Sequence, residues 1–167
     1  MPDTSDPTRT VFERALSARS QLGAAAAFEF AQRAVLPLRV STLDAQGYPH
    51  ITSLWFLLEA GRFLCCTQRR AVLVGNLGRD PRAGFELAVN APPYRGLSGR
   101  ALGYVADRDP RSVLDALADR YLGDRDPGLR RWLLARVASE VVLELEPQRM
   151  TSWDFGSRMS AAQPPTP

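Results

Sequence analysis

Beyond Pro37 the apolar residues of this chain stop recurring at helical spacing and begin to alternate, and each alternating run ends in a turn signal. "LRVSTLD" (38–44) runs into "AQG", and the aromatic, β-branched "HITSLWFLLE" (50–59) runs into "AG" and then "RFLCCT" (62–67). A period of two sends successive side chains to opposite faces of a strand, and connections this short join antiparallel neighbours. These three runs predict an antiparallel meander. "AGFELAVN" (83–90) predicts a fourth strand, and "SGRALGYVAD" (98–107) a fifth whose glycines suggest a bend or bulge. "EVVLELEP" (140–147) and "RMTSWDF" (149–155) predict the last two. Many short antiparallel strands with a few helices imply a mainly β, α+β barrel of six or seven strands with peripheral helices.

The helices are read from caps and period. Thr10 with Glu13 three residues on forms a capping-box pattern, and Val11, Phe12, Ala15, Leu16 and Leu22 fall on one helical face stopped by Gly23. An alanine-rich helix is expected over about 24–34 and a short one over 70–78. Asp109-Pro110 and Asp126-Pro127 each pair a capping carboxylate with a proline suited to the first helical position. The second of these helices carries Leu129, Trp132 and Leu133. A single domain over 10–155 is expected, with disordered tails at 1–9 and 156–167.

Composition matters mainly for what it excludes. All 21 basic residues among the 167 are arginine, so lysine Schiff bases, a P-loop lysine and a Ser–Lys dyad are ruled out. One histidine, His50, cannot form a cluster of imidazoles, and the adjacent Cys65 and Cys66 point to opposite faces of a strand, so no metal site is expected. The two cysteines read as buried packing residues and His50 as a structural or surface residue, with a proton donor as its alternative role, and no catalytic side chain is identified. A net charge of +3 spread among acids is no nucleic-acid footprint. No apolar run approaches the roughly 20 residues of a membrane span, and the polar start is not a signal peptide, so a soluble cytoplasmic protein is expected. The chemistry is expected to come from a cofactor.

One turn stands apart. The strand Phe63-Leu64-Cys65-Cys66 ends in Thr67-Gln68-Arg69-Arg70, and a short helix follows. A helix start presents free backbone N–H groups and a positive dipole end, and arginine adds forked donors that match phosphate. The favoured reading is a cofactor-phosphate site; the plain alternative is a pair of solvated loop arginines.

The order of these segments resembles the flavin-binding split β-barrel family, which includes pyridoxamine 5'-phosphate oxidase-like proteins and the flavin/deazaflavin oxidoreductases of actinobacterial type. The matching residues are Gly47-Tyr48-Pro49-His50, Asn76-Leu77 with Arg79-Asp80-Pro81-Arg82, and Thr151-Ser152-Trp153-Asp154, with "PPYRGLSGRA" as the intervening loop. The resemblance covers roughly residues 28–155. It implies a split barrel that forms a homodimer, with two cofactors in clefts between subunits. Carried onto this chain, Ser53, Leu54 and Trp55 would line the ring, and Thr67, Gln68, Arg69 and Arg70 would face the phosphate. Asn76 belongs to the same motif, and Tyr94, Arg95 and Trp153 would close the cleft or touch substrate. Relatives often carry a basic residue in the short helix, where this chain has Leu73 and Gly75.

The implied activity is hydride transfer from reduced coenzyme F420 to a conjugated double bond of a small organic substrate. FMN-dependent pyridoxamine-phosphate-oxidase-like chemistry is the first alternative. A non-catalytic flavin- or haem-binding barrel is the second.

Overall fold

The computed structural model describes residues 7–160. In chain order the elements are α1 (Pro7–Ala15), α2 (Ala24–Arg33), β1 (Leu38–Leu43), β2 (Pro49–Leu54), β3 (Leu57–Glu59), β4 (Arg62–Gln68) and α3 (Val72–Arg79). They continue with β5 (Arg82–Ala88), β6 (Arg95–Ala106), α4 (Pro110–Tyr121), α5 (Pro127–Ala135), β7 (Glu140–Asp154) and α6 (Gly156–Ser160). The strands form one antiparallel sheet in the order β2-β1-β5-β6-β7-β4-β3.

That order forces the sheet to curl. β2 and β3 are its two edges, yet only Trp55 and Phe56 separate them in the chain. The three steps from Leu54 to Leu57 span at most about 11 Å, so the edges must be brought together and the sheet rolls around its core. Phe56 is fully buried at the seam. Its amide is spent on the Tyr121 hydroxyl of α4, at 3.2 Å, rather than on a neighbouring strand. The expected continuous strand over 50–59 is therefore two strands on opposite edges, and the expected meander is two separate hairpins.

Inside the roll, Phe63 meets Phe12, Phe56 and Phe85 at centroid distances of 6.5, 5.3 and 5.2 Å. β1 alternates as its sequence requires, with Leu38, Val40 and Thr42 buried. At the far end of the chain the two expected strands are one, β7, which passes Pro147 at a bulge. Arg100 pairs with Arg149 and Ala101 with Pro147, so Gln148 is the extra residue. A bulge is where a strand tolerates a residue with no N–H.

The N-terminal region departs from its periodic reading. α1 starts at Pro7, so Thr10 lies within it and not at its cap. The helix stops at Ala15, and Gly23 is the N-cap of α2 rather than the stop of α1. The stretch between them is tied to β7: the amides of Ser17 and Gln21 donate to the carbonyls of Met150 and Ser152 at 2.7 and 3.0 Å. An available strand edge outcompeted the helical period. Residues 156–160, expected within a disordered end, form α6; residues 1–6 and 161–167 lie outside the described residues. Among the described residues no helix is long and apolar enough to cross a membrane.

Candidate functional site

Gln68 ends β4 and Val72 opens α3, so Arg69 and Arg70 form the turn between them. The Arg69 amide donates to the Ser139 carbonyl at 2.8 Å, which fixes the turn against the start of β7. α3 has no side-chain cap at Ala71. Both guanidinium groups are exposed, and neither has a hydrogen bond or ion pair among the described residues.

A cavity of about 350 Å³ lies beside this turn. Ser53, Leu54 and Trp55 reach it from the end of β2, and Cys66, Thr67 and Gln68 from the end of β4. The facing wall is apolar: Leu114 and Leu117 of α4 with Leu129 and Leu133 of α5. Glu140, the first residue of β7, completes the polar side. The sequence reading brought five of these residues together, namely Ser53, Leu54, Trp55, Thr67 and Gln68. It did not find the four leucines or Glu140. The period of α5 signalled an apolar face but not what that face would cover.

Trp55 is held rigidly. Its ring stacks on Tyr121 at 4.9 Å and 4°. The Tyr121 hydroxyl is itself fixed, donating to the Leu36 carbonyl at 2.8 Å and accepting from the Phe56 amide. The seam that breaks the strand thus also sets the platform of the cavity.

Two ionisable groups of the cavity are perturbed. Glu140 stands directly across from Gln68 on the neighbouring strand, so their side chains share a face. Burial raises its carboxyl above the usual range, with Arg136 opposing. The Cys66 thiol is pushed up to about 12, first by burial and then by Glu140 and Asp109. It points at the Pro110 carbonyl at 3.8 Å and remains a thiol rather than a nucleophile. Cys65 faces the opposite side, fully buried, and burial pushes it up further.

The other expected site residues lie elsewhere. Arg69 turns towards a neighbouring hollow of about 340 Å³ that it shares with Arg108 and Glu140. Arg70 lines neither space. Asn76 is 2% exposed and structural in its contacts: its amide donates to Thr42 Oγ1 at 3.0 Å, and its Oδ1 accepts from Arg79 at 2.7 Å. It fastens α3 to β1. Leu73 is in the core, 1% exposed, and Gly75 is on the surface.

Tyr94, Arg95 and Trp153 do come together, but at the opposite end of the β6–β7 ladder. Arg95 pairs with Asp154 and Gly96 with Trp153 in the ladder. The Arg95 guanidinium lies over the Phe30 ring at 5.3 Å, and its Nε is 3.5 Å from Asp154 Oδ2. From Glu140 to Asp154 the strand has 15 residues, a contour of about 46 Å at roughly 3.3 Å per residue. Within one chain these three residues are not part of the cavity. A larger hollow of about 520 Å³ lies on the outer sheet face, floored by Gly84 and Gly99 and bordered by the 67% exposed Ile51. Among the described residues no group of three or more His, Cys, Asp or Glu side chains could hold a metal.

No protein-family model and no curated protein matches the sequence. Solved structures do. A conserved hypothetical protein, Rv2991 from Mycobacterium tuberculosis, superposes with a TM-score of 0.72 at 20% identity, over 91% of this chain and 95% of that one. An F420 reductase gives 0.58 at 22% identity, over 74% and 94%. HutZ, a haem storage protein from Vibrio cholerae, gives 0.59 at 17% identity, over 76% and 91%. The fold is therefore the split barrel of pyridoxamine 5'-phosphate oxidase-like proteins, as the sequence resemblance implied.

Proposed function

We propose that this protein is a flavin- or deazaflavin-dependent oxidoreductase whose redox ring lies in the cavity between the β2 and β4 ends and the leucines of α4 and α5. The observation that carries this reading is the cavity's two-sidedness. A planar heteroaromatic ring has apolar faces and polar edges. Here Trp55, Leu117 and Leu133 offer apolar surface, while Ser53, Thr67 and Gln68 offer hydroxyl and amide groups. The volume lies at the small end of the roughly 300–1,000 Å³ typical of ligand sites.

Reduced F420, the favoured cofactor, or FMN as the alternative, would supply a hydride for a conjugated C=C or C=N bond of a small organic substrate. The chain's own part is to bind, orient and keep water out. Arg69 and Arg70, unpaired beside an uncapped helix start, would hold the anionic tail. Two copies make the site. Tyr94, Arg95 and Trp153 do not line their own cavity, so we assign them to closing the partner's cleft. The outer sheet face beside Ile51 is where the second copy would pack. The free thiols of Cys65 and Cys66 suit a reducing compartment such as the cytoplasm.

A second reading is supported by Leu73 and Glu140. Where relatives often have a basic side chain this protein has a core leucine, and a carboxyl group lies near the arginines. Both weaken anion holding, so a flavin- or haem-binding protein without turnover is the alternative.

Fluorescence titration with F420 and with FMN tests the main reading. Arg69→Ala combined with Arg70→Ala should raise Kd by at least about tenfold, since each charge-assisted hydrogen bond is worth about 1.5–3 kcal/mol. Reduction of a panel of enones separates enzyme from binder. An unchanged Kd in the double variant would remove the turn from the site, and a monomer in sedimentation would remove the shared cleft.

A further inference from the structure

Placing a hydride on one end of a conjugated double bond leaves an electron pair on the other end. That pair must be quenched by a proton, and the function proposed above names no source for it. The cavity holds few candidates. Ser53 and Thr67 carry hydroxyl groups too weakly acidic to give up a proton, and Cys66 is held as an unreactive thiol. Glu140 is the one carboxyl group on the cavity wall.

Its surroundings differ from those of nearby acids. Asp109 caps α4 by accepting from the amides of Arg111 and Ser112, and Glu144 and Glu146 are paired with Arg62. The Glu140 carboxyl group has neither a hydrogen bond nor an ion pair among the described residues, although its backbone amide donates to the Val137 carbonyl. It sits at the first position of β7, paired with Gln68 on β4, so its place is set by a strand ladder rather than a loop. It also borders two spaces at once: the leucine-walled cavity on one side and the hollow containing Arg69 and Arg108 on the other.

We infer that Glu140 is the proton donor of this site, giving its carboxyl proton to the substrate carbon left electron-rich by hydride addition. The carboxyl O–H bond breaks and a substrate C–H bond forms with the electron pair that hydride addition displaced from the double bond; the hydride's own two electrons would come from the reduced cofactor, leaving it oxidised. The carboxylate left behind is reprotonated by water from the neighbouring hollow. This inference rests on the function proposed above.

The charges around Glu140 couple this role to cofactor binding. Arg136 from the end of α5 favours the carboxylate. Arg69 from the β4–α3 turn and Arg108 from the β6–α4 connection border the same hollow, as does Asp107, while Cys66 faces the cavity from β4. An anionic tail bound by Arg69 and Arg70 would offset their positive charge and add a negative one close to Glu140. Both effects favour the protonated acid. Loading the cofactor would therefore take up a proton and arm the donor.

The test compares wild type with Glu140→Gln and Glu140→Asp, after confirming by circular dichroism that each is folded. Kd for F420 is measured from pH 5 to 9. Wild-type affinity should fall as pH rises, by up to tenfold per unit above the Glu140 pKa, and Glu140→Gln should bind more tightly at high pH with a flatter profile. In enone reduction, Glu140→Gln should lower kcat by about 100-fold with little change in KM, and Glu140→Asp should restore part of it. Identical pH profiles of Kd in wild type and Glu140→Gln, with equal kcat, would overturn the assignment while leaving the cofactor site intact. Absence of F420 and FMN binding by wild type at every pH would overturn it together with the proposed function.

Discussion

At its C-terminal end β7 is tied by side-chain hydrogen bonds to the segment before α2, whereas at its N-terminal end its side chains border a cavity. Ser152 is 5% exposed; its hydroxyl accepts from the Leu22 amide at 3.0 Å and donates to the Leu22 carbonyl at 3.1 Å. Asp154 donates its amide to Gln21 Oε1 at 2.8 Å. Trp153 presses on Gly96 so closely that a Cβ there would meet its ring at 2.6 Å. At the other end Glu140 and Gln68 face each other across the ladder, and their side chains make no hydrogen bond among the described residues. Leucines surround them. Where polar groups satisfy one another they hold the fold; where they are left over inside an apolar wall they are available to a ligand.

The sharpest way to break this comparison is steric. A Cβ on Gly99 would stand 2.2 Å from the Arg149 carbonyl oxygen, whereas one on Gly84 would make only ordinary contacts, with Ser41 Cβ at 3.7 Å and the Gly99 carbonyl oxygen at 3.9 Å. Gly99→Ala should cost about 3 kcal/mol or prevent folding, and Gly84→Ala should stay within about 0.5 kcal/mol. Urea unfolding of both variants reads the difference. Equal stabilities would mean that the bulged ladder is not tightly packed.

A smaller effect separates the two kinds of polar residue. Ser152→Ala leaves a buried amide and carbonyl of Leu22 without the hydroxyl, at a cost of about 1–3 kcal/mol. Gln68→Ala removes a side chain that makes no hydrogen bond among the described residues and should change stability by less than about 0.5 kcal/mol. The same pair should reverse in cofactor affinity, with Gln68→Ala the weaker binder. If Gln68→Ala proves as destabilising as Ser152→Ala, the cavity end is structural too.

The smallest effect is the pH dependence at Glu140. Because burial raises its folded pKa, the folded protein holds that proton more tightly than the unfolded chain. Its contribution is fully present below the unfolded pKa and is lost as pH rises through the folded one. The stability difference between wild type and Glu140→Gln should therefore shift against wild type as pH rises from the normal glutamate range upwards. Thermal unfolding of both proteins at several pH values checks this, and a constant difference would mean that Glu140 is no more desolvated than a surface acid.

The two ends also differ in how legible they were. The turn at Arg69-Arg70 announces itself by residue type, and Ser53 to Trp55 and Thr67 to Gln68 were reached through the resemblance. Asn76 was carried along by its motif, although its amide is spent on Thr42 and Arg79. Glu140 was invisible because nothing local marks a glutamate at the start of an apolar strand. Its importance comes from Gln68 across the ladder and from helices brought over it in space. The break at Trp55-Phe56 was hidden for a similar reason: the run alternates well on both sides, and only Tyr121, 65 residues away, claims the Phe56 amide.

The sequence by itself determined where the chain alternates, where Asp-Pro pairs open helices, and which catalytic chemistries are impossible without lysine. These follow from the residues and their neighbours in the chain. The tertiary structure alone decided that the two edges of the sheet meet, that α4 and α5 wall one end of β7 with leucines, and that Tyr94, Arg95 and Trp153 lie at the other end. Those outcomes depend on contacts between distant segments, whose energies no local pattern encodes.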